Sequence, residues 1–200
     1  MASLAGACLS PALAAPATIL VVGDSLSAEY GLKRGTGWVA LLERQLAAEK
    51  LATRVVNASI SGDTTSGGRS RIAALLVQHR PTHVVIELGG NDALRGLPLA
   101  MTEENLAWMV QAAQKAVAKV LLVGIQLPPN YGGDYGNRFS GLFEKVARQH
   151  KAAVVPFLLK GVADGPDPTR FFQADRIHPT EEAQAAMLQN VWPELKKLLK

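Results

Sequence analysis

A chain of 200 residues with 48% hydrophobic side chains is long enough for one domain with a sizeable core and too apolar to be disordered. Its 21 basic and 17 acidic side chains leave a net charge of only +4, and no dense basic run with interleaved aromatics occurs, so nucleic-acid binding is not favoured. The single cysteine, Cys8, excludes an internal disulfide.

Residues 1–14 come first. No charged side chain occurs from Met1 to Gly23, and Leu4 to Ala15 is apolar and small. Ala12-Leu13-Ala14 has the small-x-small pattern of a cleavage site, so 1–14 is read as a signal peptide and 17–200 as a single domain. Export to the periplasm or outside the cell follows from that reading. The segment is too short for a spanning helix, so no stable membrane insertion is expected.

Five short apolar runs then recur: Thr18–Val22, Arg54–Ala58, His83–Leu88, Lys119–Gly124 and Ala153–Phe157. Their nearly continuous apolar centres predict strands buried on both faces of a parallel sheet. Helical periodicity predicts helices over 38–50, 71–78, 103–117, 138–150 and 180–199, the last kinked or interrupted at Pro193. Strand and helix alternating five times predicts an α/β fold, a three-layer α/β/α sandwich around a five-stranded parallel sheet.

In such sheets ligands sit beyond the carboxyl ends of the strands. The loops there carry four polar clusters: Gly23-Asp24-Ser25-Leu26-Ser27, Ser61-Gly62-Asp63-Thr64, Gly89-Gly90-Asn91-Asp92, and Asp175-Arg176-Ile177-His178-Pro179. Serine becomes a useful nucleophile only when a base removes its proton. Of four histidines, His79, His83 and His150 read as surface or C-terminal-turn residues. His178 follows Asp175 by three residues in a loop, where a carboxylate can hold Nδ1–H and leave Nε2 as the base. Gly62 permits a close backbone approach, and Asn91 supplies a neutral N–H donor. With the Ser25 N–H they would make a three-donor oxyanion hole. Read singly, Gly62 is a turn glycine and Asn91 an Asx-turn residue; together, in these loops, they point to acyl chemistry.

These four blocks, in order across 17–199, resemble the GDSL/SGNH hydrolases. Within that superfamily the chain is most similar to the bacterial periplasmic acyl-CoA thioesterase, lysophospholipase and arylesterase group. The resemblance implies the flavodoxin-like SGNH fold, and an exported hydrolase of acyl esters and thioesters. It also implies a catalytic triad of Ser25, Asp175 and His178, and an oxyanion hole of Ser25, Gly62 and Asn91. Neither a cofactor nor a metal is implied, and the partner is a small-molecule acyl ester or thioester bound by a monomer. The segment 93–102, apolar for a loop, reads as a cover over the acyl chain or as ordinary packing. Asp24, Leu26, Leu94, Leu97 and Tyr131 are the substrate-binding candidates. Glu29 and Tyr30 depart from the family pattern beside the nucleophile turn, placing a carboxylate near the pocket mouth. The rival readings are a carbohydrate or small-acetyl esterase of the same fold, and a non-catalytic binding module.

Overall fold

The computed structural model describes residues 16–128 and 132–200. The proposed signal peptide and Tyr131 lie outside the described residues. The chain alternates β1 (Ala17–Gly23), α1 (Trp38–Ala48), β2 (Thr53–Asn57), α2 (Thr65–His79), β3 (His83–Glu87), α3 (Gly90–Leu94), α4 (Leu99–Lys115), β4 (Lys119–Val123), α5 (Gly133–His150), β5 (Ala153–Val155) and α6 (Gln184–Leu199). All strand pairs are parallel, in the order β2-β1-β3-β4-β5. Helices α1 and α6 pack together on one side of the sheet, and α2, α4 and α5 on the other. This is the expected three-layer α/β/α arrangement.

The central strands form for the reason their composition suggests. Ile19, Leu20, Val21 and Val22 on β1, and Val84, Val85 and Ile86 on β3, are fully buried, which only a sheet covered on both faces allows. The flanking strand β2 (TRVVN) is only partly buried and correspondingly more polar.

Three helix starts lie earlier than periodicity predicts. Helix α2 begins at Thr65 rather than 71, capped by the Thr64 hydroxyl accepting from the Gly67 N–H. Its first turns carry Gly67 and Gly68, poor helix formers that hide the signal. A Cβ at Gly68 would lie 2.3 Å from Leu88 Cδ1, so close packing on the sheet requires a glycine there. Helix α5 likewise starts in glycines, at Gly133. Helix α4 starts at Leu99, so the expected loop 93–102 is largely the end of α3 and the first turn of α4, joined by residues 95–98. Helix α6 is preceded by a 3-10 turn, Glu181–Ala183, and runs through Pro193 without interruption. Met187, Leu188, Val191, Trp192 and Leu195 bury one face of it on both sides of the proline. That shared apolar face holds the two halves in line against the loss of one N–H bond.

His83 is not a surface residue: it is buried on β3, with Nδ1 2.8 Å from the Thr82 hydroxyl and Nε2 2.9 Å from the Leu198 carbonyl. Burial lowers its pKa from the usual histidine value. His79 and His150 do sit in the last turns of α2 and α5.

Helix α4 ends in a Schellman motif: Ala118 N–H donates to Ala113 C=O and Val117 N–H to Gln114 C=O. The motif requires left-handed backbone at Val117 (φ 63°), where a β-branched side chain is strained, and Val117 is 90% exposed and packs on little. Val117→Gly is therefore expected to raise stability by about 1 kcal/mol in a denaturant melt, the relieved strain exceeding the entropy glycine adds to the unfolded chain. A lower midpoint would contradict this.

Candidate active site

The strand order reverses between β1 and β3, and a doubly wound sheet opens its crevice at that point. Two of the four polar clusters leave the sheet there.

After β1 the backbone turns helically: Ser27 and Ala28 N–H both donate to Asp24 C=O, at 3.2 and 2.9 Å. Asp24 caps the turn, its Oδ1 accepting from Leu26 N–H at 3.0 Å. Ser25 is the first residue inside. Its N–H has no protein partner among the described residues, as expected at the start of a helical turn.

The far loop closes on itself. Phe172 and Pro179 form an antiparallel bridge, Gln173 N–H donates to His178 C=O at 2.8 Å, and Arg176 adopts left-handed backbone at the tip. Within this loop Asp175 Oδ1 accepts from the backbone N–H of Ile177 (2.9 Å) and His178 (3.0 Å). Its Oδ2 lies 2.6 Å from His178 Nδ1. His178 Nε2 lies 2.9 Å from Ser25 Oγ. Residues 153 positions apart thus form one hydrogen-bonded chain, carboxylate to imidazole to hydroxyl, the arrangement that activates a serine. The burial cost on Asp175 is outweighed by the His178 N–H, the imidazole and the Ile177 N–H, which together hold its pKa down at about 2.

The loops after β2 and β3 supply donors. Gly62 is left-handed (φ 78°), and its N–H has no protein partner among the described residues. Its carbonyl accepts from Arg95 at 2.8 Å, tying the two loops together. Asn91, at the start of α3, donates from Nδ2 to Asp24 Oδ2 at 2.9 Å, which brings its amide to the nucleophile turn. Its neighbour Asp92 is buried and accepts from Thr65 N–H (2.8 Å), the Thr65 hydroxyl and the Thr102 hydroxyl (3.2 Å), fixing the starts of α2 and α4 on the same platform.

Several candidate residues have other places than expected. Asp24 does not face substrate: it is 2% exposed, beneath the turn, with both oxygens accepting from the protein. Leu26 is partly buried and packs against the core. Glu29 is not a free carboxylate at the mouth; it accepts from Gly35 and Gly37 N–H at 2.8–3.0 Å and so folds the loop leading to α1. That contact holds Glu29 itself in left-handed backbone (φ 60°). Leu94 is exposed and Leu97 half-buried.

Two contacts carry no local sequence signal. The Tyr30 ring lies 4.2 Å from the His178 ring, tilted by 37°. Gln173 Nε2 donates to the carbonyls of Tyr30 (2.9 Å) and Pro179 (3.2 Å), stapling the nucleophile turn to the histidine loop. Both follow from the fold bringing 23–31 against 171–179. Among the described residues no group of three or more His, Cys, Asp or Glu side chains is placed to hold a metal ion.

The profile of the GDSL-like lipase/acylhydrolase family matches residues 21–186, which include the Ser25 turn, Gly62, Asn91, Asp175 and His178. The chain belongs to this family. It is 56% identical over 186 residues to "Esterase TesA" of Pseudomonas aeruginosa, covering 93% of this chain and 91% of that one. It is 43% identical over 171 residues to "Thioesterase 1/protease 1/lysophospholipase L1" of Escherichia coli K12, covering 86% and 79%. A crystal structure of TesA superimposes with a TM-score of 0.87 at 56% identity, covering 90% of this chain and 99% of that one. The expectation of a GDSL-type hydrolase with the SGNH fold agrees with these relationships.

Proposed function

We propose that this family member hydrolyses acyl esters and thioesters through an acyl-enzyme on Ser25. The observation that carries the reading is the continuous hydrogen-bonded chain from Asp175 through His178 to Ser25. Ser25 Oγ attacks the acyl carbonyl carbon while His178 Nε2 takes the hydroxyl proton. The carbonyl oxygen gains the negative charge and is met by the Ser25 N–H, the Gly62 N–H and the Asn91 amide. The free backbone N–H groups of residues 25 and 62 support this assignment. Collapse of the tetrahedral species expels the alcohol or thiol, which receives the proton from His178. Water, deprotonated by the same imidazole, then attacks the acyl-enzyme, and the acid leaves as Ser25 regains its proton. Asp175 stays ionised throughout and holds Nδ1–H.

Acyl chains longer than acetyl suit the rim. Tyr30, Ile60, Leu94 and Ile177 are four of the exposed large apolar residues, and each lies within or a few residues from one of the four polar clusters beyond the sheet edge. The names of the relatives, esterase and thioesterase/lysophospholipase, point the same way. An exported enzyme fits the uncharged apolar segment 1–14, and no helix among the described residues is long and apolar enough to cross a membrane.

Two measurements test the reading. A fluorophosphonate probe is expected to label the protein once, at Ser25, as located by peptide mass spectrometry. Rates with p-nitrophenyl esters are expected to rise from acetate toward longer chains, with acyl-CoA thioesters also cleaved. A maximum at acetate would instead make the chain a small-acetyl esterase, and absence of labelling would make it a binding module.

A further inference from the structure

The imidazole of the triad is covered by a ring that the reaction scheme above does not use. Both edges of His178 are engaged, Nδ1 by the Asp175 carboxylate at 2.6 Å and Nε2 by Ser25 Oγ at 2.9 Å. A face of the imidazole meets Tyr30, with centroids 4.2 Å apart and planes tilted by 37°. Coplanar rings touching edge to edge cannot bring their centroids that close. The edge-to-face pair of this protein, Phe139 and Phe143, stays 5.5 Å apart at 90°. The imidazole therefore lies over the face of the tyrosine ring and not beside its rim. We propose that Tyr30 is a positioning residue for the base, whose π face holds the His178 ring and stabilises the positive charge it takes up as Ser25 is deprotonated.

The backbone aims this ring. Glu29 and Gly31, on either side of it, are both left-handed, at φ 60° and 69°. The first is held by the Glu29 carboxylate accepting from the Gly35 and Gly37 N–H groups. The second has to be glycine, since a Cβ there would collide with the Gln173 side-chain amide. The only hydrogen bonds of Tyr30 among the described residues run through its backbone. Its N–H donates to Ser25 C=O at 3.4 Å, and its C=O accepts from Gln173 Nε2 at 2.9 Å. One tie goes to the nucleophile turn and the other to the histidine loop, and the side chain contributes a face, not a hydroxyl.

The energetic argument rests on the acyl-enzyme reading above. A neutral imidazole gains little from the negative face of an aromatic ring, whereas an imidazolium is attracted to it. The charge arises when Ser25 gives up its proton, and again when water attacks the acyl-enzyme. Both half-reactions therefore gain, while the resting enzyme with its neutral base does not. Asp175 compensates the charge in the plane of the imidazole and Tyr30 from above that plane, so the two do not compete for the same atoms. The cover also limits water around the charged ring, the His178 side chain being 17% exposed against 37% for Asp175.

Tyr30→Leu keeps an apolar side chain and removes the face. It is expected to lower kcat by about 3- to 10-fold with KM within about twofold of wild type. The factor should be the same on acetate and octanoate esters, because the charge on His178 does not depend on the acyl chain. A residue that only lined the acyl rim would instead raise KM, and more for the longer ester. Tyr30→Phe restores the face and is expected to bring kcat back to within about twofold of wild type. A readout that packing alone would not move comes from phenylalanines carrying one, two, three and five fluorines at position 30. They are nearly equal in size, and each added fluorine draws charge from the face, so kcat is expected to fall step by step toward the leucine level. A flat fluorine series, a phenylalanine variant no better than leucine, or a leucine loss confined to KM overturns the proposal. The fluorine series decides the matter by itself should the leucine variant fail to fold. Fluorophosphonate labelling of the wild type separates the two readings. An unlabelled Ser25 sinks the acyl-enzyme scheme, whereas a labelled protein with a flat series sinks only the role given to Tyr30.

Discussion

Replacing Ser25 with alanine is expected to lower kcat on any ester substrate by about 10⁴- to 10⁶-fold, the range in which removal of a nucleophile leaves only binding and oxyanion stabilisation. The hydroxyl has one protein partner among the described residues, His178 Nε2 at 2.9 Å, so its loss strands no other buried polar group. The turn itself is built by backbone bonds to the Asp24 carbonyl and by the Asp24 side chain, none of which involves Ser25 Oγ. Stability should consequently change little. Steady-state kinetics, a thermal melt and a fluorophosphonate labelling experiment check the three parts together. Turnover within tenfold of wild type, or a phosphonate adduct that persists on the alanine variant, would remove Ser25 from the mechanism.

The second large effect is expected for Asp175→Asn. In the native loop one oxygen of Asp175 accepts from two backbone N–H groups and the other from His178 Nδ1. An asparagine keeping the two backbone bonds must turn its NH₂ toward Nδ1. Nδ1 then has to accept, which moves the imidazole proton to Nε2, facing Ser25, where a base is needed. We expect kcat to fall by about 10³-fold. That is less than for a sealed triad carboxylate, because the Asp175 side chain is 37% exposed and water can partly replace it. The loop should stay folded, since its bridge, its Gln173 bonds and the two backbone acceptances survive. Activity within threefold of wild type would show that His178 is oriented by other means. The pH behaviour adds an independent check. Because the folded-state pKa of Asp175 is depressed to about 2, its stabilising contribution is fully present above its ordinary value of 3.8 and is lost only as pH falls through about 2. Asp175 is therefore expected to stay ionised across pH 4 to 8, and no inflection of the wild-type rate profile in that range is expected from its protonation.

What could be read in the sequence had a local cause. The apolar runs at 18–22 and 83–87 announce strands because burial on both faces leaves no polar position to interrupt them. The four polar clusters are legible because each follows a strand within a few residues or lies shortly before the last helix, so order along the chain already assigns them to one edge. The Asp175–His178 contact spans three residues and is equally local. Where helix starts were misplaced, at α2 and α5, glycines demanded by packing or turning had erased the periodic signal.

The remainder was decided only by tertiary structure, because the partners lie far apart along the chain. The strand order puts β1 beside β3, and only then does Glu87 lie under Asp24 and Asn91 reach it from 67 positions away. Asp24 reads from sequence as a polar residue next to a nucleophile and therefore as a ligand contact; in the fold it is a buried acceptor. Glu29 reads as a charge at the mouth, but two glycine N–H groups six and eight residues on claim it. Gln173, Tyr30 and His83 have no motif at all, and their roles exist only as contacts across the sheet edge or its base. The chain thus determined by itself which elements form and which loops carry reactive groups, through hydrophobic periodicity and short-range spacing. Which of those groups face outward and which are buried beneath to hold the others was fixed by long-range hydrogen bonding, since an acceptor's partner cannot be inferred until the fold has chosen its neighbours.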